Sequence, residues 1–196
     1  MTSDLIQIVD CLSPTQVQLV LSSLDDSWWS PCTVFNNDGK CEVIADIRKN
    51  DRICLDDGTQ AAEIMHQGMN AALLTYREVL GDVTPQFQRF PVPGSMNTQS
   101  YREAIQVLRY QKDEFYDWHH DQASYDVNEK NRTISIVLYL QNAEEGGRTI
   151  FPHRAYRPKA GQALIFPSNW CFPHRGEGVV RGTKIAAVTW YHCYFG

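Results

Sequence analysis

The sequence predicts an α+β chain, mainly β: a jelly-roll barrel supported by N-terminal helices. Two observations carry this. Helical periodicity is confined to two stretches before Gly81, whereas runs rich in β-branched and aromatic residues, separated by turn signals, begin after Ser100. Helices first and many short strands after suggest helices packed on one face of a barrel.

Each element has its own signal. Ser13-Pro14-Thr15-Gln16 reads as a helix start, with Ser13 as cap, Pro14 at the first helical position and Gln16 closing a capping box. Val17, Val20, Leu21 and Leu24 continue it as an apolar stripe to about residue 24. Residues 25–58 read as irregular, with Asp38-Gly39 marking a hairpin turn. From Gln60 to Leu80, Ile64, Met65, Met69, Ala72, Leu73 and Tyr76 recur at helical spacing, and Gly81 follows as a C-terminal cap. The methionines here read as core packing. Pro85, Pro91, Pro93 and Gly94 mark a linker. Strands are then expected over Ala104–Tyr110, Thr133–Leu140, Ala163–Phe166 and Thr183–Tyr194, with turns at Gly146-Gly147, Pro158 to Gly161 and Arg175 to Gly178.

At 196 residues the chain suits one domain, 1–196, with 1–99 as helical support and lid region and 100–196 as the jelly-roll core. A net charge of -5 argues against general nucleic-acid binding, which needs a basic surface. No signal peptide or membrane span is visible, so a cytoplasmic setting is expected, with the six cysteines as free thiols. Cys32 and Cys41 are the pair to examine for a bridge. His66 and His153 have no partner spacing and read as surface residues.

The chemistry lies in His119-His120-Asp121, answered downstream by His174. In a strand, His119 and Asp121 share a face while His120 points away. Two imidazoles and one carboxylate on one side of a metal leave positions open, the site type of non-haem Fe(II) oxygenases. A surface ion pair is the competing reading for His119 and Asp121, and a core histidine for His174. Other signals stand at fixed distances: Tyr110 before the triplet, then Arg132, Tyr139-Leu140, Gly146-Gly147-Arg148-Thr149, Phe151-Pro152, Pro158-Lys159-Ala160-Gly161, and Lys184 ten residues after His174.

In this pattern residues 102–194 resemble the 2-oxoglutarate- and Fe(II)-dependent oxygenases, in their prolyl 4-hydroxylase-like branch. The resemblance implies a double-stranded β-helix and an oxidoreductase that incorporates O2. It implies His119, Asp121 and His174 as iron ligands. Lys184, aided by Tyr110 and Thr149, would hold the far carboxylate of 2-oxoglutarate, which is costly to bury without a cation. Arg132, His192 and Trp190 are carried over as candidate substrate contacts. The implied cofactors are Fe(II), 2-oxoglutarate and O2, with ascorbate as a reductant, and the co-products are succinate and CO2.

The implied substrate is a prolyl residue in a peptide or protein. The alternatives are the same chemistry on a small molecule, another side chain or a nucleobase, or a non-catalytic jelly-roll binding module. A hydrolytic zinc site would leave Lys184 without a use. A lid is expected from 25–58 and from Gln122 to Asn131. Asp113, Glu114 and Arg148 depart from the pattern, standing where the branch has Gly, Gln and Glu. All three alter charge near the entrance.

Overall fold

The computed structural model describes residues 5–35, 38–81, 101–122 and 132–192. The predicted linker, the lid segment beyond Gln122 and the end of the last strand past His192 lie outside them.

The capping box forms as read: Ser13 Oγ accepts from the Gln16 amide at 3.3 Å, and the Ser13 amide donates to Gln16 Oε1 at 2.9 Å. Helix α1 spans Pro14–Ser22, ending two residues earlier than the apolar stripe suggests. Helix α2 spans Gln60–Gly81 and buries Met65, Met69, Leu73, Tyr76 and Leu80. Its start is held by Thr59, whose Oγ1 accepts from the Ala62 amide at 3.2 Å.

Two larger antiparallel sheets, with two further two-stranded pairs, build the rest of the described residues. The eight-stranded sheet runs Gln7–Asp10, Gln162–Pro167, Arg132–Gln141, Lys184–His192, Gln106–Tyr110, Asp51–Cys54 and Ser30–Pro31, with Tyr101–Arg102 beside Lys184–His192. The five-stranded sheet runs Arg154–Tyr156, Thr149–Phe151, His174–Gly176, Phe115–His119 and Arg48–Lys49. Alternation divides the large sheet by face. Val107, Ile134, Ile136, Leu138, Ile165 and Ala187 pack outward in one core with the helices. Tyr139, Leu164 and Phe166 pack inward with Phe151 and Tyr156 of the small sheet, closing one end of the barrel. This is the predicted helix-supported jelly roll.

The motif glycine Gly161 ties the N-terminal segment to the barrel. Its carbonyl accepts from the Cys11 and Leu12 amides at 2.9 and 2.8 Å. Its φ of +88° and a virtual Cβ only 2.3 Å from the Leu12 carbonyl oxygen require glycine.

Two expectations are corrected. Residues 25–58 are not simply irregular, because Arg48–Lys49 joins the small sheet and Asp51–Cys54 the large one. Ile53 is the single buried residue of that second strand, so alternation gives no legible signal there. The hairpin itself is present, Val34–Phe35 pairing with Cys41–Glu42 and Gly39 at φ +73°. His66 is not a partnerless surface residue: its Nε2 lies 3.4 Å from Asp57, and its Nδ1 lies 3.3 Å from an Arg102 guanidinium nitrogen. His153 is exposed. Cys11, Cys32, Cys41, Cys54 and Cys171 are all free thiols. No described helix is long and apolar enough to cross a membrane.

Candidate active site

His119 is the last residue of strand Phe115–His119 and pairs with His174, the first of His174–Gly176. Asp121 lies just past the strand end rather than in it. The three nevertheless converge. His119 Nε2 is 3.6 Å from Asp121 Oδ1, His174 Nε2 is 3.7 Å from Asp121 Oδ2, and all three ligand atoms lie within 4.8 Å of one another. Among the described residues this is the one such cluster of His, Cys and acidic groups. His120 is exposed at the cavity rim and outside the cluster.

The backbone fixes which nitrogen each imidazole presents. His119 Nδ1 stands 2.7 Å from the Asp117 carbonyl, and His174 Nδ1 stands 3.1 Å from the Phe172 carbonyl. A carbonyl only accepts, so both Nδ1 atoms carry a proton, and each neutral ring turns its Nε2 lone pair toward Asp121. Burial, then the neighbouring His174, pulls His119 down to about 4, leaving it neutral and available as a ligand near neutral pH. Burial alone would raise Asp121. Attraction to the His174 and His119 rings in their protonated form, with hydrogen bonds from Ser135 and Trp190, instead holds it at about 2. Two free imidazole lone pairs and an ionised carboxylate fit a divalent first-row metal.

The cluster lies at the wall of a cavity of about 940 Å³ lined by both sheets. Lys184 enters from the large sheet, paired with Tyr110, and is buried. Its Nζ lies 5.2 Å from the Tyr110 ring centre and 4.8 Å from that of Tyr139. Burial pulls the amine down to about 8, and no carboxylate lies within 4.0 Å of it among the described residues. Thr149 is buried beside it, its Oγ1 2.5 Å from the Tyr139 hydroxyl. Burial raises the Tyr110 hydroxyl well above its ordinary range, which keeps it a proton donor.

The three candidate substrate contacts divide. Arg132 and Trp190 line the cavity, and the guanidinium carbon lies 3.6 Å from the indole ring centre. His192 is buried and its Nε2 lies 2.8 Å from Glu103 Oε1, behind the cavity wall. Glu103 also accepts from Arg132 Nε and Nη2, each at 2.6 Å. Burial would raise its pKa, but the His192 and Arg132 hydrogen bonds hold it below the usual carboxylate range.

Sequence reasoning missed four residues here. Ser135 donates to Asp121 at 2.7 Å. Glu103 anchors Arg132. Tyr116 stacks on His119 with ring centres 3.6 Å apart and planes 15° apart. Arg48 lies over Tyr116 at 4.4 Å, with its Nε donating to Asn50 at 2.9 Å, and lines the cavity. These depend on pairings between distant strands, for which the sequence holds no local signal. Two of the departures have structural settings. Asp113 occupies a left-handed backbone position, φ 64°, which glycine adopts more readily than other residues. Arg148 forms a two-pronged ion pair with Glu177, at 2.8 and 2.5 Å.

Residues 105–192 match the family model of the 2OG-Fe(II) oxygenase superfamily. Prolyl 4-hydroxylase 2 of Arabidopsis thaliana is 31% identical over 124 residues, covering 46% of this chain and 41% of the relative. The chain thus spans less than half the length of the curated relatives it matches. A viral collagen prolyl hydroxylase from Paramecium Bursaria Chlorella virus-1, solved as a 2OG complex, superposes with a TM-score of 0.67. It is 20% identical, over 97% of each chain. A prolyl hydroxylase from Trichoplax adhaerens, in complex with a hypoxia inducible factor oxygen degradation domain peptide fragment, gives 0.65 at 16% identity, over 97% and 84% of the chains. At these identities the solved structures establish the fold, and it is the one found here.

Proposed function

We propose, from the match of residues 105–192 to the 2OG-Fe(II) oxygenase superfamily and their likeness to prolyl 4-hydroxylases, that this chain is a dioxygenase hydroxylating a prolyl residue in a peptide or protein. The observation that carries the reading is the His119–Asp121–His174 cluster opening onto the cavity into which Lys184 is buried. His119, Asp121 and His174 would hold Fe(II), and the metal with bound 2-oxoglutarate supplies the oxidant for an unactivated C–H, releasing succinate and CO2.

The chain's own residues do the rest. Backbone carbonyls of Asp117 and Phe172 hold both imidazole tautomers, and Ser135 and Trp190 hold the carboxylate. Lys184, with the hydroxyls of Tyr110 and Thr149, receives the far carboxylate of the cosubstrate, whose charge matches the buried ammonium. Arg132, fixed by Glu103 and the Trp190 ring, and Trp190 itself face the substrate space, where a peptide would be positioned. His192 orients Arg132 through their shared partner Glu103. Residues 1–196 act as a single domain. The 34–42 hairpin, which lends Val34, Gly39 and Cys41 to the cavity wall, serves as part of a lid. Ascorbate, as a reductant for iron oxidised in uncoupled turnover, and a cytoplasmic setting complete the proposal.

The test is anaerobic loading with Fe(II), addition of 2-oxoglutarate and O2, and succinate release read against a peptide library with and without proline. A mass gain of one oxygen on proline-containing peptides is expected, lost in Asp121→Ala and His174→Ala. Succinate formation coupled to proline-free peptides or small molecules alone would redirect the substrate. No O2-dependent succinate at all would overturn the enzymatic reading.

A further inference from the structure

The cavity carries more positive charge than the proposed reaction uses. Four cationic side chains line it, Arg48, Arg52, Arg132 and Lys184, against one carboxylate, Asp121, among the described lining residues. On the proposed reading, the charges of the ferrous ion, Asp121, the cosubstrate dicarboxylate and Lys184 cancel one another. Arg132 is neutralised by Glu103. Arg48 and Arg52 remain. Among the described residues Arg48 donates only to neutral acceptors, Asn50 Oδ1 at 2.9 Å and the Thr33 carbonyl at 3.5 Å. The Arg52 guanidinium makes no hydrogen bond or ion pair with any described residue, although the chain as a whole is acidic. Its neighbour Asp51 is already taken by Arg109 at 2.9 Å. Unpaired cations partly withdrawn from water are unfavourable unless an anion arrives.

The register places Arg52 where a substrate segment would pass. Arg52 pairs with Leu108, and Leu108 pairs with Ala186. All three line the cavity, so they share the inner face of the large sheet. Arg52 is therefore two strands, roughly 10 Å, across the sheet from Ala186. An extended peptide covers that in about three residues.

Resting on the hydroxylase reading, we infer that the substrate is an acidic segment: a prolyl peptide with an Asp or Glu side chain a few residues from the target, received by Arg52 and Arg48. Arg52 is a specificity-determining residue rather than a catalytic one. It contributes where the peptide binds and leaves cosubstrate binding untouched.

The experiment uses peptides identical except for Glu or Gln at each position flanking one proline, with the full chain loaded with Fe(II) and 2-oxoglutarate. Turnover gives kcat and KM, and fluorescence anisotropy without O2 gives affinity. Glu peptides should show KM and Kd lower by on the order of tenfold than their Gln counterparts at one or two positions, with similar kcat. Rising salt should narrow the gap in the unaltered protein, which needs no variant to fold. Arg52→Gln should remove the gap, and Arg52→Glu should move the preference to Lys peptides, both at unchanged KM for 2-oxoglutarate. Equal affinity for Glu and Gln peptides overturns the inference. So does a rise in the 2-oxoglutarate KM matching that for peptide, since the arginines would then serve the cosubstrate. If no peptide is hydroxylated, the prolyl reading fails, while the anaerobic affinities still decide the charge preference.

Discussion

Ser135 holds Asp121 in place: its hydroxyl donates to Asp121 Oδ2 at 2.7 Å and is itself 2.8 Å from the Ser168 hydroxyl. Both serines are buried, so the carboxylate is oriented before any ion arrives. Outer partners of metal ligands typically govern affinity by about 10–100-fold. Ser135→Ala should weaken metal binding on that order while preserving the fold. Equilibrium titration with Co(II), read by its visible absorption, checks this. Unchanged affinity would mean that the Trp190 hydrogen bond alone suffices.

Gly161 makes a prediction about stability. Alanine there would meet the Leu12 carbonyl at 2.3 Å and adopt a backbone conformation that L residues resist. Among the described residues the strand Gln7–Asp10 pairs only with Gln162–Pro167, so displacement of Leu12 loosens that edge. Gly161→Ala should cost about 2 kcal/mol or more in denaturant unfolding, at the upper end for a single substitution. Gly39→Ala is the control. No atom lies within 4 Å of its added Cβ, so only its positive φ opposes it and the loss should be smaller.

The contrast between Ser13 and Arg52 shows what a sequence can and cannot display. The Ser13–Gln16 box is a contact three residues apart, so it is written in local order. The helices and the main strands are legible for the same reason, since each rests on a short-range period, whereas the His119–Asp121 pair is legible from its motif, Asp121 lying beyond the end of the strand that has the period. Lys184 became legible through its fixed spacing from His174. The environment of Asp121 did not, because Ser135 comes from one strand and Trp190 from another, brought together by the register Ser135↔Trp190. Glu103 and Arg132 are 29 residues apart, and Arg48 reaches Tyr116 through a two-residue strand with no alternation to read. His192 shares strand parity with Lys184 and Trp190, but the register shift between Arg132 and Ile134 accompanies its turn away from the cavity toward Glu103.

Glu103 lies outside the cavity lining, yet it anchors Arg132, the side chain proposed to meet substrate. Glu103→Gln would replace a two-pronged ion pair with a neutral amide and loosen the hold on Arg132. Peptide KM should rise on the order of tenfold or more, while metal affinity and the KM for 2-oxoglutarate stay within about twofold. An equal rise in both KM values would mean that the change had spread through Trp190 to Asp121.

Lys184 sets a pH dependence whose sign follows from its burial. The amine, ordinarily near 10.5, is pulled down to about 8 because burial disfavours its charge. Between those values the unfolded chain binds more protons than the folded one, so the destabilising contribution of Lys184 is full below about 8 and fades as pH approaches 10.5. A dicarboxylate bound against the ammonium reverses the balance, because it requires the proton that the empty cavity resists. Affinity for 2-oxoglutarate should therefore be greatest below about 8 and fall about tenfold per pH unit above it. Calorimetric titration of anaerobic, Fe(II)-loaded protein measures that slope directly. Lys184→Met should weaken binding at every pH and flatten the profile, since no proton remains to couple. A flat profile in the unaltered protein would mean that the cosubstrate carboxylate has another partner, and Arg48, beside Tyr110 and Tyr116, would be the residue to replace next.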